Sequence, residues 1–120
     1  MTFRHTCMLT TLLALVLAAG LILVPGLFLW LFGLEGDVAA TVMARHAGVL
    51  FLGLSIILFG ARRARGRSQF TIALGLSVMM GAMALLGLIE LSLGRVGAGI
   101  IVAILTEGFV AFGFARFLRA

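Results

Sequence analysis

Four ionisable side chains lie inside long apolar runs of this sequence, and they are the residues most able to do chemistry. Arg45 and His46 are adjacent in one run, Glu90 lies in a second and Glu107 in a third. An ionised side chain inside a membrane costs about 2.5–3.5 kcal/mol even on a lenient scale, so such residues are rare and are candidates for function. A carboxylate and a guanidinium at such depth can pair, hold a ligand or carry a proton.

The apolar runs around these residues predict four membrane-spanning helices. The chain is 63% hydrophobic and only 11% charged, against about 25% charged in soluble domains. A helix needs about 20 apolar residues to cross the hydrocarbon core. Four runs satisfy this, at roughly 9–32, 39–61, 69–93 and 97–117. Because the connections between them are short, we expect one domain over 1–120, an all-α integral membrane bundle of four antiparallel, up-down helices.

Local signals mark where these helices begin, bend and turn. Pro25, followed by glycine, lies inside the first run and predicts a kink. Asp37 is suited to cap the second helix and Ser68 the third. Gly94 predicts the turn between the third and fourth helices.

The arginines predict how the bundle is oriented. With four spans, both termini and the 62–68 connection lie on one side, which then holds seven arginines against one on the other. The positive-inside rule places that side in the cytoplasm, with both termini. Its four-arginine cluster can anchor the topology or contact anionic lipid head groups. The seven are Arg4, Arg62, Arg63, Arg65, Arg67, Arg116 and Arg119, and the cluster is Arg62, Arg63, Arg65 and Arg67.

Depth in the membrane predicts an ion pair between Arg45 and Glu107. At ~1.5 Å per residue, Arg45 lies ~9 Å and Glu107 ~15 Å from the outer helix ends. Glu107 is too deep to reach water, its neighbours Ala103 and Ala111 permit close approach, and Arg45 is the one basic residue placed to neutralise it. Three interpretations stay open: a clamp between the second and fourth helices, a ligand or proton site, or Arg45 reaching the outer head groups.

The two remaining ionisable residues, His46 and Glu90, are expected to lie apart from this ion pair. His46 points ~100° away from Arg45 and is expected to be a hydrogen-bonded packing residue. Glu90 is expected at the outer rim, solvated or paired with Arg95 or His46. The other histidine, His5, belongs to the opposite end, so no haem held by two histidines of one chain is expected.

The sequence carries no motif of a common enzyme class. It has one cysteine, no CxxC, no HExxH, no phosphate-binding glycine motif and no nucleophile elbow. We therefore expect no enzyme, no cofactor and no metal. The arginines flank apolar runs, so the expected partners are the lipid bilayer and another copy or a larger membrane complex, with no nucleic acid. Three functions stay open: an accessory or interaction subunit, a small carrier of protons or lipophilic anions, and a quinone-binding subunit.

Two segments carry a resemblance to a known group of proteins. RHAGVLFLGLSIILFGAR and TEGFVAFGFARFL resemble the small four-helix bacterial membrane proteins of unknown function and, more loosely, the DoxX-like superfamily. In such proteins an arginine in the second helix accompanies a glutamate in the last, and Arg45 and Glu107 match those positions. The resemblance implies a bacterial inner-membrane protein. Some DoxX-like proteins are linked to quinone or thiol redox systems, but this chain lacks cysteine pairs, so that role is not transferred.

Overall fold

A computed structural model describes residues 1–119, and every regular element in that range is helical. Four helical segments within the described residues are long and apolar enough to cross a membrane, which confirms the predicted number of long apolar helices. The helices are α1 (Phe3–Leu23), α2 (Pro25–Leu31), α3 (Val38–Ala61), α4 (Gly66–Ser92) and α5 (Ile100–Ala115), and α5 continues as a 3-10 turn over Arg116–Leu118.

The first predicted span consists of two helices. α1 begins six residues earlier than expected because the Thr2 side chain accepts a hydrogen bond from the His5 amide and caps the helix. The helix ends at Leu23, Val24 has non-helical dihedral angles, and Pro25 opens α2. Proline is well suited to a first helical position because it has no amide hydrogen to leave unpaired. The expected kink is therefore a complete break.

The predicted caps of the later helices have mixed outcomes. Asp37 caps α3, and its Oδ1 accepts from the Ala40 amide at 2.7 Å, as expected. The prediction for Ser68 is wrong: α4 begins at Gly66, three residues before the expected start at 69, with Arg65 in the cap position and no side-chain cap bond. Gly66 has a φ of +61°, which glycine adopts readily, so the backbone itself can turn into α4.

The helices form two hairpins, α1 with α3 and α4 with α5. In the first hairpin, a Cβ on Gly48 would lie 2.8 Å from Ile22 Cγ1 and 3.2 Å from the Ala18 carbonyl oxygen. The two backbones approach this closely because position 48 has no side chain. The expectation that all consecutive helices pack as neighbours is wrong for α3 and α4, which make no extended contact.

The hairpins are joined at both ends of the bundle. The arginine-rich end comprises the N-terminus, the α3–α4 connection and the end of α5. There the Phe3 ring meets the Phe114 ring edge-on, with centroids 6.0 Å apart, inside an apolar cluster from all four spans. The opposite end comprises the connections 32–37 and 93–99, where the Gly97 amide donates to the Phe32 carbonyl at 2.7 Å. The cluster consists of Phe3, Cys7, Leu58, Ala73, Leu76, Met80, Val110 and Phe114.

Hydroxyl groups lie inside the bundle and many large apolar side chains lie outside. The buried polar residues are all threonine or serine, and each hydroxyl donates to a main-chain carbonyl three or four residues earlier. By contrast, Leu23, Trp30 and Leu50 are 74–76% exposed. Small and hydroxyl-bearing residues at helix contacts, with large aliphatic side chains outside, are typical of helices packed in lipid. This arrangement fits a multi-pass membrane protein.

Candidate functional site

A cavity of about 40 Å³ lies between the two hairpins, and Glu107 is the one ionisable residue that lines it. All four spans contribute to the wall. The volume exceeds the ~15 Å³ that one water molecule needs and is far below the ~300 Å³ of the smallest typical small-molecule sites. The cavity therefore suits water or an occupant of similar size. Its lining residues are Thr10, Leu13, Ala14, Leu17, Phe51, Met80, Met83, Thr106, Glu107 and Val110.

The spacing of buried residues along α5 turns Glu107 toward this cavity. Val110 and Phe114, three and seven residues later, are both buried, and this spacing keeps all three on one side of a helix. Glu107 itself is half-buried. Its neighbours Ala103 and Ala111 predict the same inward orientation.

The cavity presents hydrogen-bond acceptors and few donors. The Thr10 hydroxyl donates to the Thr6 carbonyl at 2.8 Å, and the Thr106 hydroxyl donates to the Val102 carbonyl at 2.8 Å. These two hydroxyls therefore offer the cavity only their oxygen lone pairs. In the part of the chain that the structure describes, the Glu107 carboxyl has no hydrogen-bond or ion-pair partner. An ionised Glu107 would therefore accept a hydrogen bond from a water molecule in this cavity or take up a proton.

The predicted contact between Arg45 and Glu107 is not formed. The one ion pair within residues 1–119 joins Arg95 to Glu90, and Arg45 is exposed on α3. Depth placed the two residues at similar levels, but it carries no information about which way each side chain points. α3 belongs to the hairpin with α1 and turns Gly48 inward, and Arg45 lies outside that buried face.

His46 and Glu90 occupy two different places. The His46 Nδ1 donates to the Val42 carbonyl at 2.8 Å, while the ring stays exposed beside Arg45. Glu90 lies in the last turn of α4, beside the 93–99 connection, and pairs with Arg95 at 3.5 Å, with both side chains reached by solvent. An exposed pair of this kind contributes about 0–1 kcal/mol. Of the four ionisable residues inside apolar runs, only Glu107 reaches the cavity.

The four arginines of the cluster do not all lie in one place. Arg62, Arg63 and Arg65 line an open groove at the arginine-rich end, together with Arg4 from α1, whereas Arg67 is not part of its wall.

Sequence reasoning missed the two threonines of the cavity. Thr10 lies in an apolar stretch of α1 and Thr106 directly precedes Glu107. A hydroxyl in a membrane helix commonly bonds to its own backbone, so residue type alone does not single these two out. The signal that brings them together is the packing of α1 against α5, which shows only in the structure.

Comparisons with known proteins add no further assignment. Searches against family models, curated proteins and solved structures find no match to this chain. The resemblance to DoxX-like proteins therefore stays a prediction, and the proposals below depend on the geometry.

Proposed function

We propose that this chain is a non-enzymatic protein of the bacterial inner membrane, an accessory or interaction subunit that docks through α3 onto a partner helix. The observation that carries the proposal is the exposure of Arg45 and His46, side by side, on a helix long and apolar enough to cross a membrane. A charged group in that position favours a partner with a complementary charge.

The docking face, defined here as Arg45, His46, Val49 and Gly53, combines charge with room for close approach. Arg45 lies seven residues after Val38, or about 10 Å along the helix. Val49 is 59% exposed, and a Cβ on Gly53 would meet no atom within 4 Å. A partner helix can therefore come close at Gly53 and place an acidic residue beside Arg45.

Photo-crosslinking in cells tests the docking face. A benzoylphenylalanine at Val49 is expected to form an adduct with a membrane helix that carries an acidic residue, either of another protein or of a second copy. Arg45→Gln should weaken the adduct severalfold because the charge that orients the partner is lost. The control position is Phe112, which is also exposed and lies about as far along α5. Lipid adducts alone at both positions would contradict the proposal.

The proposed orientation places both termini in the cytoplasm. It is supported by the seven arginines of the arginine-rich end against Arg95 at the opposite end. Reporter fusions at the N-terminus and at the C-terminus are both expected to report the cytoplasm. A periplasmic signal from either fusion would contradict this orientation.

A second candidate function is supported by the cavity: Glu107 as a proton-carrying group. The carboxyl shares a mostly apolar cavity with the hydroxyl oxygens of Thr10 and Thr106, and the volume admits water. Of the carriers that the sequence left open, the proton fits best because Arg45, the cation that a lipophilic anion would need, is exposed on α3. A quinone ring needs a far larger site than about 40 Å³.

A further inference from the structure

We propose that the groove at the arginine-rich end is a binding site for a phosphate group, carried by an anionic lipid head group or by a small soluble phosphate. The groove has a volume of about 530 Å³, within the ~300–1,000 Å³ range of small-molecule sites. It is separate from the docking face and from the Glu107 cavity, so it does not depend on either proposed function. Its wall is formed by Thr2, Phe3, Arg4, Arg62, Arg63, Ala64, Arg65, Gln69 and Phe117.

Within residues 1–119, no acidic side chain pairs with the arginines of this groove. Four of its nine lining residues are arginines, contributed by the start of α1 and by the α3–α4 connection. The chain has only four acidic residues, and all of them lie at the opposite end or in the central cavity: Glu35, Asp37, Glu90 and Glu107. A concave, one-sign site attracts a counter-ion from outside the chain.

Contacts made by two arginines, Arg62 and Arg116, hold the groove in place without a bound anion. The Arg62 guanidinium stacks on the Phe59 ring, 3.9 Å from its centroid, and donates to the Phe59 carbonyl. On the other side, Arg116 donates to the Met1 carbonyl at 3.2 Å and holds the N-terminal residues against the end of α5. The Arg62 guanidinium is therefore held in one position and contributes a fixed positive charge to the groove.

The remaining arginines supply the phosphate ligands. Arg4, Arg63 and Arg65 are exposed and form no ion pair within residues 1–119. A guanidinium presents its N–H groups as a rigid fork that matches two phosphate oxygens, which distinguishes it from a simple point charge. Gln69 adds amide donors to the same wall.

The groove also has an apolar side that a lipid could use. Phe3 and Phe117 both line it, and their rings pack edge-on with centroids 5.4 Å apart. A lipid could place its phosphate among the arginines and the first carbons of its acyl chains against these rings, whereas a soluble phosphate would use the arginines alone. Basic pockets at the ends of membrane helices suit anionic head groups.

Native mass spectrometry of the full-length protein in mild detergent tests the site with two probes, cardiolipin and inorganic pyrophosphate. Phosphatidylcholine is the reference lipid. Arg4→Gln and Arg63→Gln are each expected to weaken binding about tenfold or more because each loses a charge-assisted pair of hydrogen bonds. Arg67→Gln is the matched control: it removes the same charge from the first turn of α4, two residues after Arg65, and lies outside the groove. Arg63→Lys keeps the charge without the fork and is expected to give an intermediate loss.

The two probes separate the two sources of phosphate. Cardiolipin binding that follows this pattern identifies a lipid head-group site, and pyrophosphate binding that follows it identifies a site for soluble phosphates; either supports the proposal. An equal loss with Arg67→Gln would overturn it, because the attraction would then be diffuse. Cardiolipin binding no tighter than phosphatidylcholine, with no pyrophosphate binding, would also overturn it.

Discussion

Replacing Glu107 with leucine is expected to raise the free energy of unfolding by about 2 kcal/mol. The carboxyl lines a cavity with Met80, Met83 and Val110 and has no ion-pair partner within residues 1–119. A polar or charged group kept in apolar surroundings without a partner is a stability cost, and a leucine of similar volume removes it. Unfolding in mixed micelles, titrated with a denaturing detergent, measures the change.

The control for this substitution is Glu90→Leu. Glu90 is also an acid in an apolar helix, but it is solvated and paired with Arg95, so its replacement should change stability by no more than ~1 kcal/mol. A clear loss of stability in Glu107→Leu would contradict the account, because it would mean that the carboxyl has a stabilising partner. Proteoliposomes add a functional measurement: if Glu107 carries protons, flux should stop in Glu107→Leu and persist in Glu90→Leu.

Replacing Gly48 with valine is expected to destabilise the bundle by about 3 kcal/mol. Its Cβ alone would lie 2.8 Å from Ile22 Cγ1 and 3.2 Å from the Ala18 carbonyl oxygen. The side chain of Ile22 can move, but the carbonyl belongs to the α1 backbone, so the hairpin must open. Overpacking of this kind costs ~1–3 kcal/mol, and a displaced backbone belongs at the upper end. The same micelle unfolding experiment measures it.

The matched control is Gly53→Val, on the same helix. A Cβ at position 53 would meet no atom within 4 Å, so the substitution should leave the bundle's stability within ~0.5 kcal/mol. If Gly48→Val and Gly53→Val have equal effects, α1 and α3 do not pack as described. If Gly53→Val lowers the crosslinking yield at the docking face without destabilising the bundle, it supports docking there.

The parts of the fold that depend on one helix at a time could be predicted from the sequence. The length of each apolar run predicts its span, and Asp37 predicts a start because an aspartate cap is a local hydrogen bond. The prediction that Ser68 caps α4 is wrong, and the reason is also local: the helix already begins at Gly66, where glycine tolerates a positive φ.

The parts that depend on two helices at a time could not be predicted in the same way. The small α5 neighbours of Glu107 predict that its side chain faces inward, and it lines the cavity. Its predicted partner, however, depends only on depth and on the scarcity of basic residues inside the helices. Helical spacing gives an angle relative to other residues of the same helix, and it does not say which neighbour that angle faces. Four helices joined by short loops can pack in several arrangements with the same residue pattern. The pairing of α3 with α1, and thus the outward position of Arg45, therefore requires the structure.

A double-mutant cycle between Arg45 and Glu107 tests whether these two side chains meet. Arg45→Ala, Glu107→Ala and the double variant are unfolded in the same micelles. We expect additive changes in the free energy of unfolding, with a coupling below ~0.5 kcal/mol, because Arg45 lies on the exposed face of α3 and Glu107 lines the cavity. A favourable coupling of ~2 kcal/mol or more, with the double variant more stable than the additive sum, would contradict it. That result would show that an ion pair joins α3 to α5.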